Sequence, residues 1–485
     1  MATATEILLA QGLVHYRQGA LQEAEQAYRA VIAREPHHID ALHYLGAICL
    51  DAGRPQEALD ICDRLAGIGC DTTKSLTTRS GALLALGRAE EALAACDNLL
   101  AREPASANAH MNRSAALMAL RQPGEALIHC EQTLLLGPPT AEKWYNRGRV
   151  MMALKRFDKA TRDFERALAL DPAHAQSRFE IALCRLVTGD FANGWAEYEW
   201  RWQTPLLKRR AAAFTRPAWR GEDISDKTLL IHAEQGLGDI IQFARYAPRA
   251  AERARRVILE VLPPLLPLLA DQIPGVEVVA SQSPLPPHDV QCALLGLPGI
   301  FKTAIESIPA QAPWISAPQD RIGIWAKRLT TVPQPRVGLV WSGNRKHRND
   351  AARSMPVQQL APLLSGAARF VSLQKEARAD ELTWLAAHSV AHFGSQLGDL
   401  ADTAALINLM DVVISVDTSV AHLAAAMGKP TWILLPYFDT DWRWMVDRDD
   451  SPWYPTACLF RQPAIGDWES VIVRVADALA TVGKK

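Results

Sequence analysis

The first 170 or so residues repeat with a period of 34. Taking Gly12 as the eighth position of a repeat puts Ala24 at position 20, Tyr28 at 24 and Pro36 at 32. Steps of 34 residues then give Gly46, Ala58 and Cys62; Ala92, Cys96 and Pro104; Ala126, Cys130 and Pro138; Gly148, Ala160, Phe164 and Pro172. The fifth repeat adds Trp144 at position 4 and Ala167 at position 27. This pattern predicts a helix, a turn and a second helix in each repeat. Small residues at positions 8 and 20 let the two helices approach, a larger one at 24 fills the gap, and proline at 32 ends the second helix. One repeat cannot bury its apolar face alone, so the repeats stack into a superhelix with a concave surface.

These anchors resemble the tetratricopeptide repeat over about residues 5–174. A sixth repeat starts near Ala175 and degrades. It keeps Tyr198 at position 24, has Gly194 at position 20, and ends in Glu199-Trp200-Arg201-Trp202 instead of proline. It reads as a cap that docks onto the following domain. Asn112 and Asn146, at position 6 of repeats four and five, are candidate peptide-binding residues, with solvated polar side chains as the plainer reading.

Composition narrows the class. The 52 basic residues balance 53 acidic ones, which argues against a nucleic-acid partner and against a polybasic membrane anchor. No stretch has the length and apolarity of a transmembrane segment, and the start lacks the basic region of a secretory signal. Cys62, Cys96 and Cys130 are equivalent repeat positions, not metal ligands, and a reduced cytoplasmic setting is the expected location.

From Thr228 the pattern changes to short apolar runs separated by helical stretches: Thr228–Ala233, Val257–Val261, Val276–Ala280, Arg336–Trp341, Phe370–Leu373, Val412–Val416 and Thr431–Leu435. Buried strands alternating with helices predict two parallel-sheet, Rossmann-like lobes. Ligands bind such sheets at the carboxyl ends of the strands. The expected division is a repeat array with its capping repeat at 1–202, a linker at 203–227, a first α/β lobe at 228–333 and a second at 334–485.

Two motifs carry chemistry. Gly236-Leu237-Gly238-Asp239 follows the first strand directly. It is not a dinucleotide fingerprint, because Ile241 stands where the third glycine belongs. Gly236 and Gly238 allow a tight turn and leave space beside the Asp239 carboxylate, which otherwise reads as a helix cap. Glu234 is the next carboxylate on this turn. The second motif runs from Ser415 through Asp417, Thr418, Ser419 and His422 to Gly428-Lys429-Pro430. Thr418 and Ser419 open a helix whose free N–H groups and dipole favour an anion such as a diphosphate, with His422 one turn further in. Asp439-Thr440-Asp441 is a three-residue metal-diphosphate pattern, read here as part of a cleft loop with Trp442 and Trp444.

These two motifs, in this order, resemble glycosyltransferase family 9, the heptosyltransferases with the GT-B fold. The resemblance implies Asp239 as catalytic base, Asp417, Thr418, Ser419 and His422 as holders of the donor, and a phosphate-binding basic residue in the loop 342–348. Lys346 is the first candidate there and Arg345 the alternate. It also implies a nucleotide-sugar donor, a protein or glycan acceptor hydroxyl, inversion, and no divalent metal or other cofactor. The repeat array, absent from heptosyltransferases, gives a plan similar to O-GlcNAc transferase and is expected to bind a protein acceptor or partner. The competing expectation is a non-catalytic interaction protein that retains a sugar-nucleotide module.

Overall fold

The computed structural model describes residues 3–281, 283–345, 349–365 and 368–482, without the side chains of residues 206 and 209. The chain divides into two compact units, Met1–Ser177 and Arg178–Lys485. The fold is a helical repeat array followed by an α/β region with two parallel sheets, as the sequence predicts.

The first unit stacks five helix pairs: Ala4–Arg17 with Leu21–Arg34, Ile39–Asp51 with Pro55–Gly67, Thr73–Ala85 with Ala89–Arg102, Ala107–Ala119 with Pro123–Leu135, and Ala141–Ala153 with Phe157–Leu170. Positions 8 and 24 match in size. A Cβ on Gly12 would lie 2.8 Å from the Tyr28 ring, and one on Gly148 2.5 Å from Phe164. In the third and fourth repeats, where position 24 is cysteine, position 8 is Ser80 or Ser114, and Ser114 Oγ sits 2.9 Å from Cys130 Sγ; the second repeat pairs Cys62 with Gly46. The turn inside each pair takes a left-handed residue: Gly19, Gly53 and Gly87 in three repeats, but Arg121 (φ 59°) and Lys155 (φ 57°) in the other two. Stacking holds those two side chains in a region that costs a non-glycine residue about 1–2 kcal/mol.

The division falls inside the sixth repeat, so Arg178–Tyr198 belongs with the sheets. In helix Phe191–Tyr198, Trp195 Nε1 donates to the Thr303 carbonyl at 2.8 Å. Phe191, Trp195 and Tyr198 surround Trp442 with ring centroids 6.4, 5.5 and 6.0 Å away. The stretch expected as a linker holds helix Pro205–Ala211, and Ala218 bridges to Gln291 beside the first sheet.

The first sheet contains β1 (Ile224–His232), β2 (Ala254–Val261), β3 (Val276–Ala280) and β4 (Val290–Ala293), all parallel in the order β3-β2-β1-β4. The second contains β5 (Arg336–Val340), β6 (Arg369–Ser372), β7 (Ala391–His392), β8 (Val412–Val416), β9 (Thr431–Leu435) and β10 (Ala457–Arg461). Its order is β10-β9-β8-β5-β6-β7, again parallel. Every residue of β8 and β9 is buried, which is why both read as unbroken apolar runs. In each sheet the order reverses beside its first strand, between β1 and β4 and between β5 and β8. Crevices open at such switch points, outside the carboxyl ends of the strands. Both sequence motifs sit there.

Candidate active site

On the second sheet, Asp417 and Thr418 leave β8 and helix Ser419–Ala426 follows at once. Ser415 Oγ and Thr418 Oγ1 share a hydrogen bond of 3.1 Å, which fixes the turn. The basic side chain against this turn is Arg353, which the sequence reading missed. Its Nη1 donates to the Asp417 carbonyl at 2.9 Å. Its guanidinium fills the space over Gly343, where a Cβ would come within 2.5 Å of it. Of the two expected loop cations, Arg345 reaches Glu381 at 3.4 Å and Lys346 lies outside the described residues.

His422 is buried, and its ring stacks on Trp444 at 5.2 Å. Its Nδ1 shares a 2.9 Å hydrogen bond with the Tyr454 hydroxyl, and its Nε2 lies 3.6 Å from Asp417 Oδ1. Burial pushes the Asp417 carboxyl upward, but His422, Trp444 and Arg353 outweigh it and hold the pKa below the ordinary aspartate value.

On the first sheet, β1 runs into the Gly236–Asp239 turn and helix Leu237–Phe243. Asp239 caps this helix from its third position: Oδ2 accepts the Gly236 N–H at 2.8 Å. Its Oδ1 pairs with Arg443, a buried guanidinium that also holds Asp441 Oδ2 at 2.6 Å. The Phe243 and Trp442 rings cover that guanidinium, each at 5.1 Å. The space beside Gly238 is not open, as the sequence suggested. A Cβ there would sit 2.7 Å from His422 Cδ2. The glycine is needed because the helices that follow β1 and β8 touch at this point.

Asp239, Arg443, Asp441, Asp417, His422 and Tyr454 therefore form one cluster at the meeting of the two sheets. Burial, with the nearby Asp417 and Asp239 charges, raises the Asp441 carboxyl against the pull of Arg443. The loop bearing Asp441 and Arg443 is strained, with Asp439, Met445 and Asp447 at φ values of 56°, 54° and 54°. The Asp439 carbonyl accepts from Asn349 Nδ2 at 2.8 Å. Asp441 and the tryptophans were legible as a cleft loop, but nothing in the sequence tied Arg443 to Asp239 across 204 positions. Glu234 has a different job. Its side chain is fully buried, paired through both oxygens with Arg201 at 2.9 Å, and bonded to the Leu295 N–H. Asn112 bridges neighbouring helices, donating to Ser80 Oγ at 2.8 Å and to the Thr77 carbonyl at 3.4 Å. Asn146 is half-buried on helix Ala141–Ala153. Among the described residues, no group of three or more His, Cys, Asp or Glu is arranged to hold a metal, and no helix is long and apolar enough to cross a membrane.

Comparison with known proteins matches residues 9–70, 79–139 and 141–174 to the tetratricopeptide repeat and residues 354–437 to glycosyltransferase family 9 (heptosyltransferase). The chain carries tetratricopeptide repeats and a family 9 glycosyltransferase segment. That segment includes Asp417, Thr418, Ser419 and His422, whereas Asp239, Asp441 and Arg443 lie outside it. Protein FlbA of Caulobacter vibrioides is 28% identical over 331 residues, covering 63% of this chain and 55% of that protein. The match thus spans about half the length of this curated relative. Among solved structures, a thermophilic tetratricopeptide repeat protein of Thermus thermophilus aligns with 22% identity and a TM-score of 0.34, over 38% of this chain and 100% of that one. A tetratricopeptide repeat protein of Parabacteroides merdae aligns with 16% identity and a TM-score of 0.33, over 38% and 71%.

Proposed function

We propose that the protein is a glycosyltransferase that moves a sugar from a nucleotide-activated donor to an acceptor hydroxyl with inversion. The observation that carries this reading is the convergence of Asp239, from the β1 turn, with the Asp417–His422 turn after β8. The donor diphosphate would rest on the N–H groups of Thr418 and Ser419, with Arg353 and His422 beside it. Lys346 stays a candidate phosphate ligand, with Arg345 as its alternate. The acceptor oxygen attacks the anomeric carbon, the bond from that carbon to the diphosphate oxygen breaks, and Asp239 takes the acceptor proton. Positive charge and helix N–H groups stabilise the departing diphosphate without requiring a divalent ion. Arg443 acts as a positioning residue that fixes the orientation of Asp239. The repeat array would bind a protein acceptor or partner, with Asn112 and Asn146 as candidate contacts.

The test is turnover of a panel of nucleotide sugars, with Asp239→Asn as the decisive variant. A general base contributes about 10²–10⁴-fold, so the variant should lose that much rate while still binding donor. Unchanged turnover removes Asp239 from the mechanism. One observation favours a second reading, a sugar-nucleotide-binding module without catalysis: both Asp239 oxygens are already engaged, by Gly236 and Arg443. Donor binding with no turnover in the unaltered protein would select that reading.

A further inference from the structure

Tyr454 is buried beside the candidate site, and the mechanism above gives it no role. It is 1% exposed, and its hydroxyl shares the 2.9 Å hydrogen bond with His422 Nδ1. The Arg245 guanidinium lies 4.7 Å from the Tyr454 ring and also hydrogen-bonds to the hydroxyl. Backbone carbonyls hold that guanidinium in place, with Nε donating to Gln242 and Nη1 to Trp453, both at 2.7 Å. Burial pushes the Tyr454 hydroxyl above the ordinary tyrosine pKa, so it keeps its hydrogen. At the other edge of the histidine ring, Nε2 faces Asp417 Oδ1 at 3.6 Å and lies 3.3 Å from where a Cβ on Gly238 would stand. This nitrogen points to the place where the β1 and β8 turns meet.

Donor and acceptor capacities along this chain of groups leave one place for the histidine proton. A guanidinium only donates, a carboxylate only accepts, and a hydroxyl has a single hydrogen to give. Tyr454 accepts from Arg245, so its own hydrogen goes to His422 Nδ1, which must then be bare. The ring proton sits on Nε2, where the Asp417 carboxylate favours it. The opposite form would set the Nε2 lone pair against that carboxylate. It would also strand the Tyr454 hydrogen, because Arg245 and His422 are the partners its hydroxyl has among the described residues. A doubly protonated ring strands the same hydrogen, and a buried donor without an acceptor is costly. We propose that Tyr454 is a positioning residue that holds His422 in its Nε2–H form, with the one ring proton directed at the Asp417 turn. That N–H would serve a diphosphate oxygen as a neutral donor, a role that rests on the glycosyltransferase reading; the place of the proton does not.

The first measurement is NMR of the full chain at neutral pH with isotope-labelled histidine rings, because bare and proton-bearing ring nitrogens differ widely in chemical shift. His422→Gln identifies the His422 signals. The unaltered chain should show a bare Nδ1 and a protonated Nε2, and a protonated Nδ1 would overturn the proposal. The second measurement uses Tyr454→Phe, which removes the hydroxyl and keeps the ring that packs 5.7 Å from His422 and 6.2 Å from Trp444. The His422 nitrogens should then report a mixture of the two one-proton forms. Calorimetry with the diphosphates of adenosine, guanosine, uridine and cytidine should show the one that binds weakened about three- to tenfold. Unchanged nitrogen shifts or unchanged diphosphate affinity in Tyr454→Phe would overturn the role given to Tyr454. Absence of diphosphate binding in the unaltered chain would instead count against the glycosyltransferase reading, while its spectrum still decides the place of the proton.

Discussion

Cutting the Asp239–Arg443 pair should cost far more than cutting a surface ion pair. The two side chains are 17% and 5% exposed, so solvent screens the contact little. An exposed pair contributes about 0–1 kcal/mol, whereas removing one member of a buried pair costs about 3–5 kcal/mol. Arg443 keeps Asp441 at 2.6 Å when Asp239 is neutralised, so the guanidinium stays half compensated. Asp239→Asn should accordingly lose about 1.5–3 kcal/mol, although asparagine preserves the side-chain size and an oxygen for the Gly236 N–H. Arg443→Gln leaves Asp239 and Asp441 facing each other without their cation, and should lose about 3–5 kcal/mol. The assay is urea unfolding followed by tryptophan fluorescence. All tryptophans but Trp144 lie beyond Ser177, so the signal reports the unit that contains the pair. A double-mutant cycle on the two positions should give a coupling of about 1–3 kcal/mol. A coupling below about 0.5 kcal/mol, the level at which independent sites add, would refute the linkage of the two sheets through this pair.

In the repeat array, Gly148→Ala drives a methyl to within 2.5 Å of Phe164 and should destabilise by about 1–3 kcal/mol, while Gly124→Ala, with nothing within 4 Å, should be close to neutral; circular-dichroism melts compare the two. Burial, reinforced by Arg113 and His110, lowers His129 from an ordinary value of 6.5 to about 4. Its folded pKa lies below the unfolded one, so its stabilisation is complete above pH 6.5 and is lost as pH falls towards 4. His129→Gln should flatten melting temperature across that window, and an unchanged profile would count against a half-buried neutral imidazole. A nucleoside diphosphate at 100 times its dissociation constant should add about 2.7 kcal/mol of stability, measured by thermal shift, and Arg353→Met should shrink the gain. Donor turnover should survive EDTA; loss of activity restored by Mn²⁺ would return Asp439 and Asp441 to a metal-binding role.

The sequence alone determined the repeat, the two sheets and the two motifs, because each depends on neighbours in the chain. A 34-residue period is visible since every anchor packs against one a fixed number of residues away, as Gly148 does against Phe164. Strands such as β8 are visible since burial on both faces demands an unbroken apolar run. The helix start at Ser419 is visible since a strand, a turn and a helix follow one another directly. Tertiary structure decided what those motifs meet. Gly238 is a glycine because His422, 184 positions later, occupies the space its side chain would need. Asp239 both caps its helix and pairs with Arg443, and no local pattern distinguishes a cap that has a distant cation from one that has not. Glu234, the next carboxylate on the first turn, is a buried partner of Arg201, and the guanidinium packed against the Asp417 turn belongs to Arg353, after the loop where spacing had pointed. The physical reason is the same in each case. Charge pairing and close approach depend on distance in space, and only the packing of two separately formed sheets brings these side chains together.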